Sequence, residues 1–357
     1  MSEAEVVEAV RGADGPLRIV GGGTRVFGGS GRELRTGGLS GITLYEPGAL
    51  TLVAQAGTAL AEVEAALAAE RQRLAFEPMD HRGLLGAEGE PTIGGVVAAG
   101  VSGPRRVQVG ACRDFLLGAR FVDGSGTALK NGGRVMKNVT GYDLVKLMAG
   151  SYGTLGVLTE VSLKVLPAPA AEATLVIEGL EDARAMEALT AALGSPYDVT
   201  GAAHLPGRTL VRIEGFAASV DYRAGELATL LDRFGAVTLE REGSAALWRR
   251  VRDVEDFHGA PGDVWRISVK PSDGPVVAAR LPEGVRVVYD WGGGLVWALV
   301  PEGTDLRAEI APYAGHATLV RGTGAPVFEP QPEGVAALER GLRERFDPKG
   351  LFGGVAK

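Results

Sequence analysis

Apolar and polar positions follow two regimes on either side of residue 167. Before it, short apolar runs break off repeatedly into glycine. Leu17-Arg-Ile-Val20 reads as a short strand that runs straight into Gly21-Gly-Gly-Thr24. Leu60, Val63 and Leu67 recur at helical spacing behind Thr58, a residue suited to an N-cap. Phe121-Val-Asp-Gly-Ser-Gly-Thr127 has the composition of a hairpin turn. Thr159-Glu-Val-Ser-Leu-Lys-Val165 alternates strictly, as a half-buried strand does.

Pro167-Ala-Pro-Ala-Ala171 interrupts this regime and is the expected domain boundary. Beyond it strands and amphipathic helices alternate more regularly. The pattern predicts a strand at 174–177, a helix at 181–193, a strand at 210–214 and a helix with Leu227, Leu230, Leu231 and Phe234 on one face. Trp265-Arg-Ile-Ser-Val-Lys270 alternates again. Further strands are expected near 285–290, 295–300 and 317–321, with a short helix at 304–311. That order predicts an antiparallel sheet backed by helices on one face, an α+β arrangement with room for two β-α-β units but no visible sequence repeat. A final helix carries Val335, Leu338, Leu342 and Phe346 and ends at Asp347-Pro348. The expected division is a first domain at 1–166, a second at 171–330, and a C-terminal helix and tail at 331–357.

Composition changes the picture at one residue type. Glycine accounts for 54 of 357 residues, about twice the usual ~7%. It follows no Gly-X-Y period and forms no Gly/Ser tract, so the excess marks turns and close backbone approaches. Glu90-Pro-Thr-Ile-Gly-Gly-Val-Val-Ala-Ala-Gly-Val-Ser-Gly103 concentrates it, with no charge after Glu90. Small residues let main chain lie against a flat ligand at contact distance. Upstream, the successive N–H groups of Gly21–Thr24 would form a concave anion site suited to a pyrophosphate. Either segment alone is a weak signal, and the triple glycine at the strand end reads equally as a plain tight turn; the pair reads as a large-cofactor site. No helix opens on Gly-x-Gly-x-x-Gly, which excludes a Rossmann dinucleotide site.

A net charge of −7 without a basic stripe excludes a nucleic-acid surface. Cys112 is the only cysteine, so this chain can neither form an internal disulfide nor hold a cysteine-ligated iron–sulfur cluster alone. Met1-Ser-Glu-Ala-Glu5 lacks a signal pattern, and runs such as Gly94–Val101 fall far short of the ~18 residues of a membrane span. The expected location is the cytoplasm, or the inner membrane face through partners.

Two more segments join the glycine-rich pair: Lys137-Asn-Val-Thr-Gly-Tyr-Asp143, and Gly150-Ser-Tyr-Gly-Thr-Leu-Gly-Val-Leu-Thr159. Arg113-Asp114, behind Gly110, reads either as a ribose or loop anchor or as a surface ion pair. Together with Val20–Thr24, Pro91–Gly95 and Ser102-Gly103, these resemble the FAD-binding domain of the vanillyl-alcohol-oxidase/p-cresol-methylhydroxylase (PCMH-type) superfamily. Leu247-Trp-Arg-Arg-Val-Arg-Asp253, Trp265–Asp273, Asp290-Trp-Gly-Gly-Gly-Leu295, Gly315-His-Ala-Thr-Leu-Val-Arg321 and Phe346-Asp-Pro-Lys-Gly-Leu-Phe352 are similar to the smaller FAD-binding subunit of bacterial glycolate oxidases. The tail Phe352-Gly-Gly-Val-Ala-Lys357 departs from that family's pattern.

The resemblance implies a PCMH-type domain of two α+β subdomains, an α+β cap domain with an antiparallel sheet, and a tail returning to the first. It implies non-covalent FAD. Val20, Gly21, Gly22, Gly23 and Thr24 would hold the pyrophosphate. Thr92, Gly94, Gly95, Ser102 and Gly103, with Gly153, Thr154, Gly156 and Val157, would line the flavin and adenosine. Gly110 and Asp114 would contribute beside them, and Lys137, Asn138, Gly141 and Tyr142 would stand near the isoalloxazine or the domain junction. It further implies glycolate or a related 2-hydroxy acid as substrate, a larger FAD-containing catalytic subunit and an iron–sulfur subunit as partners, and no metal.

No residue stands out as the catalytic acid or base. His81, His204, His258 and His316 are scattered without ligand spacing; His258, beside Asp256, is the best placed of the four to face a flavin. Arg249, Arg250 and Arg252 fit an anion pocket, a solvated face or an interface. Trp248, Trp265, Trp291 and Trp297 read as core before they read as a stacking set. Three function classes fit: a flavin-bearing subunit of a complex, a self-sufficient dehydrogenase, and a structural subunit with a degenerate site. Gly22 and Gly95 are expected to be irreplaceable for cofactor reasons, and Cys112 and His81 are the side chains open to a covalent flavin link.

Overall fold

The computed structural model describes residues 1–25, 31–134 and 142–353. They form two compact units, Met1–Ser102 with Ala111–Ala168 and Pro330–Lys357, and Gly103–Gly110 with Pro169–Glu329.

The first unit opens with α1 (Glu3–Arg11) and the parallel pair β1 (Leu17–Val20) and β2 (Arg32–Arg35). Its main sheet uses β3 (Ile42–Glu46) and β4 (Thr51–Gln55). After α2 (Leu60–Ala69) and α3 (Ile93–Ala98) come β5 (Leu116–Val122), β6 (Ala128–Gly132) and β7 (Val157–Lys164). The order across this antiparallel sheet is β3-β4-β7-β5-β6. The hairpin forms as its composition predicts, because Asp123 Oδ1 accepts from the amides of Ser125 and Thr127, each at 2.9 Å.

β7 is central and half-buried as its alternation predicts: Val161 and Leu163 are buried, while of the alternating polar residues Glu160 and Lys164 stay partly exposed and Ser162 is buried. Thr159, on the apolar face, donates its hydroxyl to Glu3 at 2.7 Å. One local expectation changes. Thr58 does not cap α2; its hydroxyl donates to Gln55 O at 2.7 Å, tying the end of β4, and Ala59 takes the cap position.

The chain end is clipped to β1. Leu17 N–H donates to Leu351 O at 2.7 Å, and the Asp347 carboxylate accepts the amides of Leu351 and Phe352 at 2.9 and 2.7 Å. The preceding helix, Glu333–Phe346, buries less than its apolar stripe suggests. Phe346 meets Phe121 with ring centroids 6.1 Å apart, while Val335, Leu338 and Leu342 remain exposed.

The second unit is an eight-stranded antiparallel sheet made of two β-α-β-β-α-β halves. The first half runs β8 (Ala171–Glu178), α4 (Asp182–Leu193), β9 (Val199–Leu205), β10 (Arg208–Gly215), α5 (Ala217–Leu231) and β11 (Val237–Glu240). After α6 (Ser244–Asp253) the second half uses β12 (Asp263–Val269), β13 (Arg286–Asp290), β14 (Leu295–Val300) and β15 (Gly315–Arg321), with short helices at Gly274–Ala278 and Leu306–Ile310. The strand order is β11-β8-β10-β9-β13-β14-β12-β15. Leu189 and Ala192 of α4, with Leu227 and Leu231 of α5, pack on Leu175, Val211 and Ile213 of the sheet. β9 is absent from the sequence expectation because Gly201, Ala202 and Ala203 dilute its β-pattern. Gly201 is small because the Trp248 ring lies where its Cβ would stand, 2.7 Å away.

The octapeptide Gly103–Gly110 lies inside the 1–166 range yet packs with the second unit. The buried pair Arg105–Glu214 ties it to β10, and Trp291 donates its indole N–H to Gly103 O at 3.0 Å.

The two halves of the sheet meet at a single register pair, His204 opposite Tyr289. Side chains reinforce that thin seam. Asp182 accepts from Tyr289 Oη at 2.6 Å and lies 3.4 Å from His204 Nε2, while His204 Nδ1 lies 2.9 Å from Thr209 Oγ1. The hydrogen bond with His204, helped by that from Tyr289, holds the Asp182 carboxyl below its ordinary range against the effect of burial. A depressed carboxyl pKa contributes stability above the unfolded value of about 4 and loses it as pH falls through the folded pKa. Asp182→Ala is therefore expected to cost about 1–3 kcal/mol at pH 7 and progressively less below pH 4. Urea unfolding at pH 7 and pH 3 measures it, and an equal loss at both would show that the ionised carboxylate does not hold the seam.

Candidate functional site

The first unit contains a cleft with about 920 Å³ of space, counting the part open to solvent at its mouth. Three pieces of main chain build it. β1 delivers the Gly21–Thr24 turn, held from behind by Thr36 N–H on Val20 O at 2.9 Å. α3 supplies the floor. Its N-cap Thr92 accepts from Gly95 N–H at 3.2 Å, so the Gly-Gly pair expected as loop starts a short helix instead. The third piece, Gly150–Gly156, docks on the C-terminal end of α3 through Gly150 N–H on Val97 O at 3.0 Å and Tyr152 N–H on Ala98 O at 2.8 Å.

The glycines serve two different purposes. A Cβ on Gly22 would overlap the carbonyl oxygen of Glu90, and one on Gly89 would overlap that of Gly22. These two backbones touch each other, so Gly22 is required by packing rather than by ligand volume. Gly94 is likewise pressed on Ala56, 2.6 Å from where its Cβ would be. Gly95 and Gly23 differ. A methyl at Gly95 meets only Thr92 Oγ1, at 3.1 Å, and one at Gly23 meets nothing within 4 Å. Both leave bare main chain in the cleft that a side chain would fill, which is what a flat cofactor needs. Gly23 also has φ +75°, a left-handed angle that favours glycine.

Of the residues singled out from sequence, Gly21, Gly22, Gly23, Thr24, Thr92, Gly94, Gly95, Gly153 and Gly156 line this cleft. Val20, Thr154 and Val157 stand just behind the lining and are buried. Ser102 accepts from Cys112 N–H at 2.9 Å, and Asp114 accepts from Ala111 N–H at 2.8 Å in a local cap. Neither lines the cleft. Gly103 and Gly110 belong to the octapeptide of the second unit. Tyr142 is 87% exposed, and Lys137, Asn138 and Gly141 lie outside the described residues.

Two side chains in the lining were not anticipated in that role, Arg25 and Tyr152, and His81, considered from sequence only for a covalent flavin link, lines the cleft as well. Arg25 directly follows the glycine turn, a signal available from sequence. His81 is 5% exposed, with Nδ1 3.2 Å from Met79 O. His258, the histidine favoured from sequence, instead places Nε2 2.9 Å from Asp253 O in the second unit. The anion pocket considered for the α6 arginines gives way to carboxylate pairs, Arg250 with Asp256 at 3.1 Å and Arg252 with Asp253 at 2.8 Å. All four tryptophans are buried in the second unit, outside the cleft lining. Cys112 is buried, and burial, with the Asp114 charge adding to it, pushes its thiol up to about 12. Such a thiol is inert. Among the described residues no His/Cys/Asp/Glu group is arranged to hold a metal, and no helix is long and apolar enough to cross a membrane.

Fold and cleft define a PCMH-type FAD-binding oxidoreductase, and comparison with known proteins agrees. Residues 1–132 match the FAD binding domain family. The fold resembles that of alkyldihydroxyacetonephosphate synthase, with a TM-score of 0.71 at 16% identity over 98% of this chain and 74% of that one. Glycolate oxidase subunit GlcE of Escherichia coli (strain K12) is 38% identical over 342 residues, 94% of this chain and 91% of that protein. Glycolate oxidase subunit GlcD of Bacillus subtilis (strain 168) is 31% identical over 42% of this chain and 32% of its own. The chain belongs to the family of glycolate oxidase subunit GlcE, and its cofactor is FAD.

Gly22→Ala is expected to destabilise the flavin-free protein by about 3 kcal/mol or more, at or beyond the upper end of overpacking costs. Urea unfolding without flavin measures this, and unchanged stability would return Gly22 to a purely ligand-facing role.

Proposed function

We propose that this chain is the FAD-bearing smaller subunit of a glycolate oxidase complex that oxidises glycolate or a related 2-hydroxy acid to the 2-oxo acid. One observation carries the reading: likeness to glycolate oxidase subunit GlcE over 94% of the chain, including the whole second unit. The cleft supports it chemically. Gly21–Thr24 would face the pyrophosphate with main-chain N–H groups, and Gly23 and Gly95 leave volume for the cofactor beside α3.

When bound, FAD supplies the two-electron acceptor that 2-hydroxy acid oxidation needs. The chain's own residues hold it, shield it and orient it. Binding is non-covalent in this reading, since Cys112 is buried away from the lining and His81 is engaged with Met79 O. The single cysteine cannot ligate an iron–sulfur cluster, so onward passage of electrons falls to an iron–sulfur partner. Among the described residues the cleft lining offers one histidine and no Asp or Glu. In this reading the base for the substrate hydroxyl falls to a larger catalytic flavoprotein subunit. Such a complex would sit in the cytoplasm or on the inner membrane face.

Acid denaturation should release all flavin into the supernatant; flavin that remains with the precipitate would refute non-covalent binding. Gly95→Val should give folded, colourless protein, and full retention of FAD would move the cofactor out of this cleft. Anaerobic mixing of the FAD-loaded chain with glycolate or D-lactate should leave the flavin oxidised until the partner subunits are added. Rapid bleaching by the chain alone would make it a self-sufficient dehydrogenase.

A further inference from the structure

We propose that Arg25 is the cationic partner of the FAD pyrophosphate, acting beside the main-chain cradle. The inference rests on the proposal that FAD occupies this cleft. Arg25 follows Thr24 directly and lines the same cleft. Its Nε and Nη1 are buried, and its guanidinium carbon lies 6.0 Å from the ring centroid of Tyr152.

Tyr152 is held firmly. It has φ +53° between Gly150 at +85° and Gly153 at +74°, and its N–H is bound to Ala98 O. A left-handed angle at a bulky residue is strained and persists where the surroundings enforce it. The backbone that carries the ring is thus fixed beside Arg25.

Charge complementarity names the ligand. Among the described residues Arg25 is the one in the lining that carries a full charge at every working pH, and no described Asp or Glu lines the cleft with it. Burial holds its pKa below the ordinary arginine value, with Tyr152 working in the other direction. A diphosphate brought beside the turn would offset that burial and accept the planar fork of donors bidentately. The arrangement is therefore more favourable with a phosphate-bearing ligand than with a neutral one.

The test uses the full chain, freed of flavin and reconstituted with FAD. Dissociation constants for the wild type, Arg25→Lys and Arg25→Met are measured by flavin fluorescence at low and high salt, alongside thermal unfolding of each flavin-free protein. The expected result is an FAD Kd raised at least tenfold in Arg25→Met and less in Arg25→Lys. The salt dependence of that Kd should flatten in the Met variant, and its flavin-free unfolding temperature should not fall below the wild type. An FAD Kd within twofold of wild type in both variants would overturn the inference. So would weakened binding with unchanged salt dependence, or loss of both binding and flavin-free stability in Arg25→Lys, since either makes Arg25 a packing residue. A wild-type chain that binds no FAD would instead sink the cofactor assignment itself.

Discussion

The close approach of two backbones, Gly21–Gly23 against Gly89–Pro91, is the constraint on which the cleft of the first unit depends. Carbonyl oxygens of Glu90 and Gly22 occupy the places where Cβ atoms of Gly22 and Gly89 would be. The contact brings the end of β1 alongside the start of α3. From there Thr92 caps α3, Gly94 N–H reaches Ala56 O at 2.8 Å, and the Gly150–Gly156 loop closes on the other end of the helix. Side chains at these points would separate the pieces, and the cleft would lose its floor.

The second unit solves a different problem. Each β-α-β-β-α-β half buries its own helices, and the halves share one sheet through the His204–Tyr289 pair. So narrow a backbone junction is reinforced by Asp182, which links side chains from β13, β9 and the start of α4. The octapeptide Gly103–Gly110 joins the same unit through Arg105–Glu214, a pair with side chains 7% and 2% exposed. Removing one partner of such a pair strands a buried charge, which is costlier than never having had the pair. The segment's place is thus set by electrostatics, against its position in the chain.

Legibility followed the range of the interactions involved. Strands and helices with a clear period, such as 174–177, 181–193 and 295–300, stand where the pattern puts them. β9 does not show in the pattern, because its small residues serve Trp248 of α6, some fifty residues away in the chain. Thr58 has the chemistry of a cap but spends its hydroxyl on β4, because burial in the sheet edge offered it Gln55 O. Val335, Leu338 and Leu342 form an apolar stripe that this chain leaves exposed; their pattern states an amphipathic helix and says nothing of what meets it.

The sequence by itself determined where bare main chain is concentrated, in the glycine clusters at Gly21–Gly23, Gly94-Gly95 and Gly153–Gly156. It also determined that no cluster of cysteines or paired histidines is available to this chain. Tertiary structure alone decided which glycines leave open space in the cleft and which press on another backbone, and that His81 and Arg25, not His258 or the α6 arginines, line the cleft. The physical reason is common to both. A residue's type fixes what it is able to do, but its neighbours across the fold fix which of its capacities is already spent.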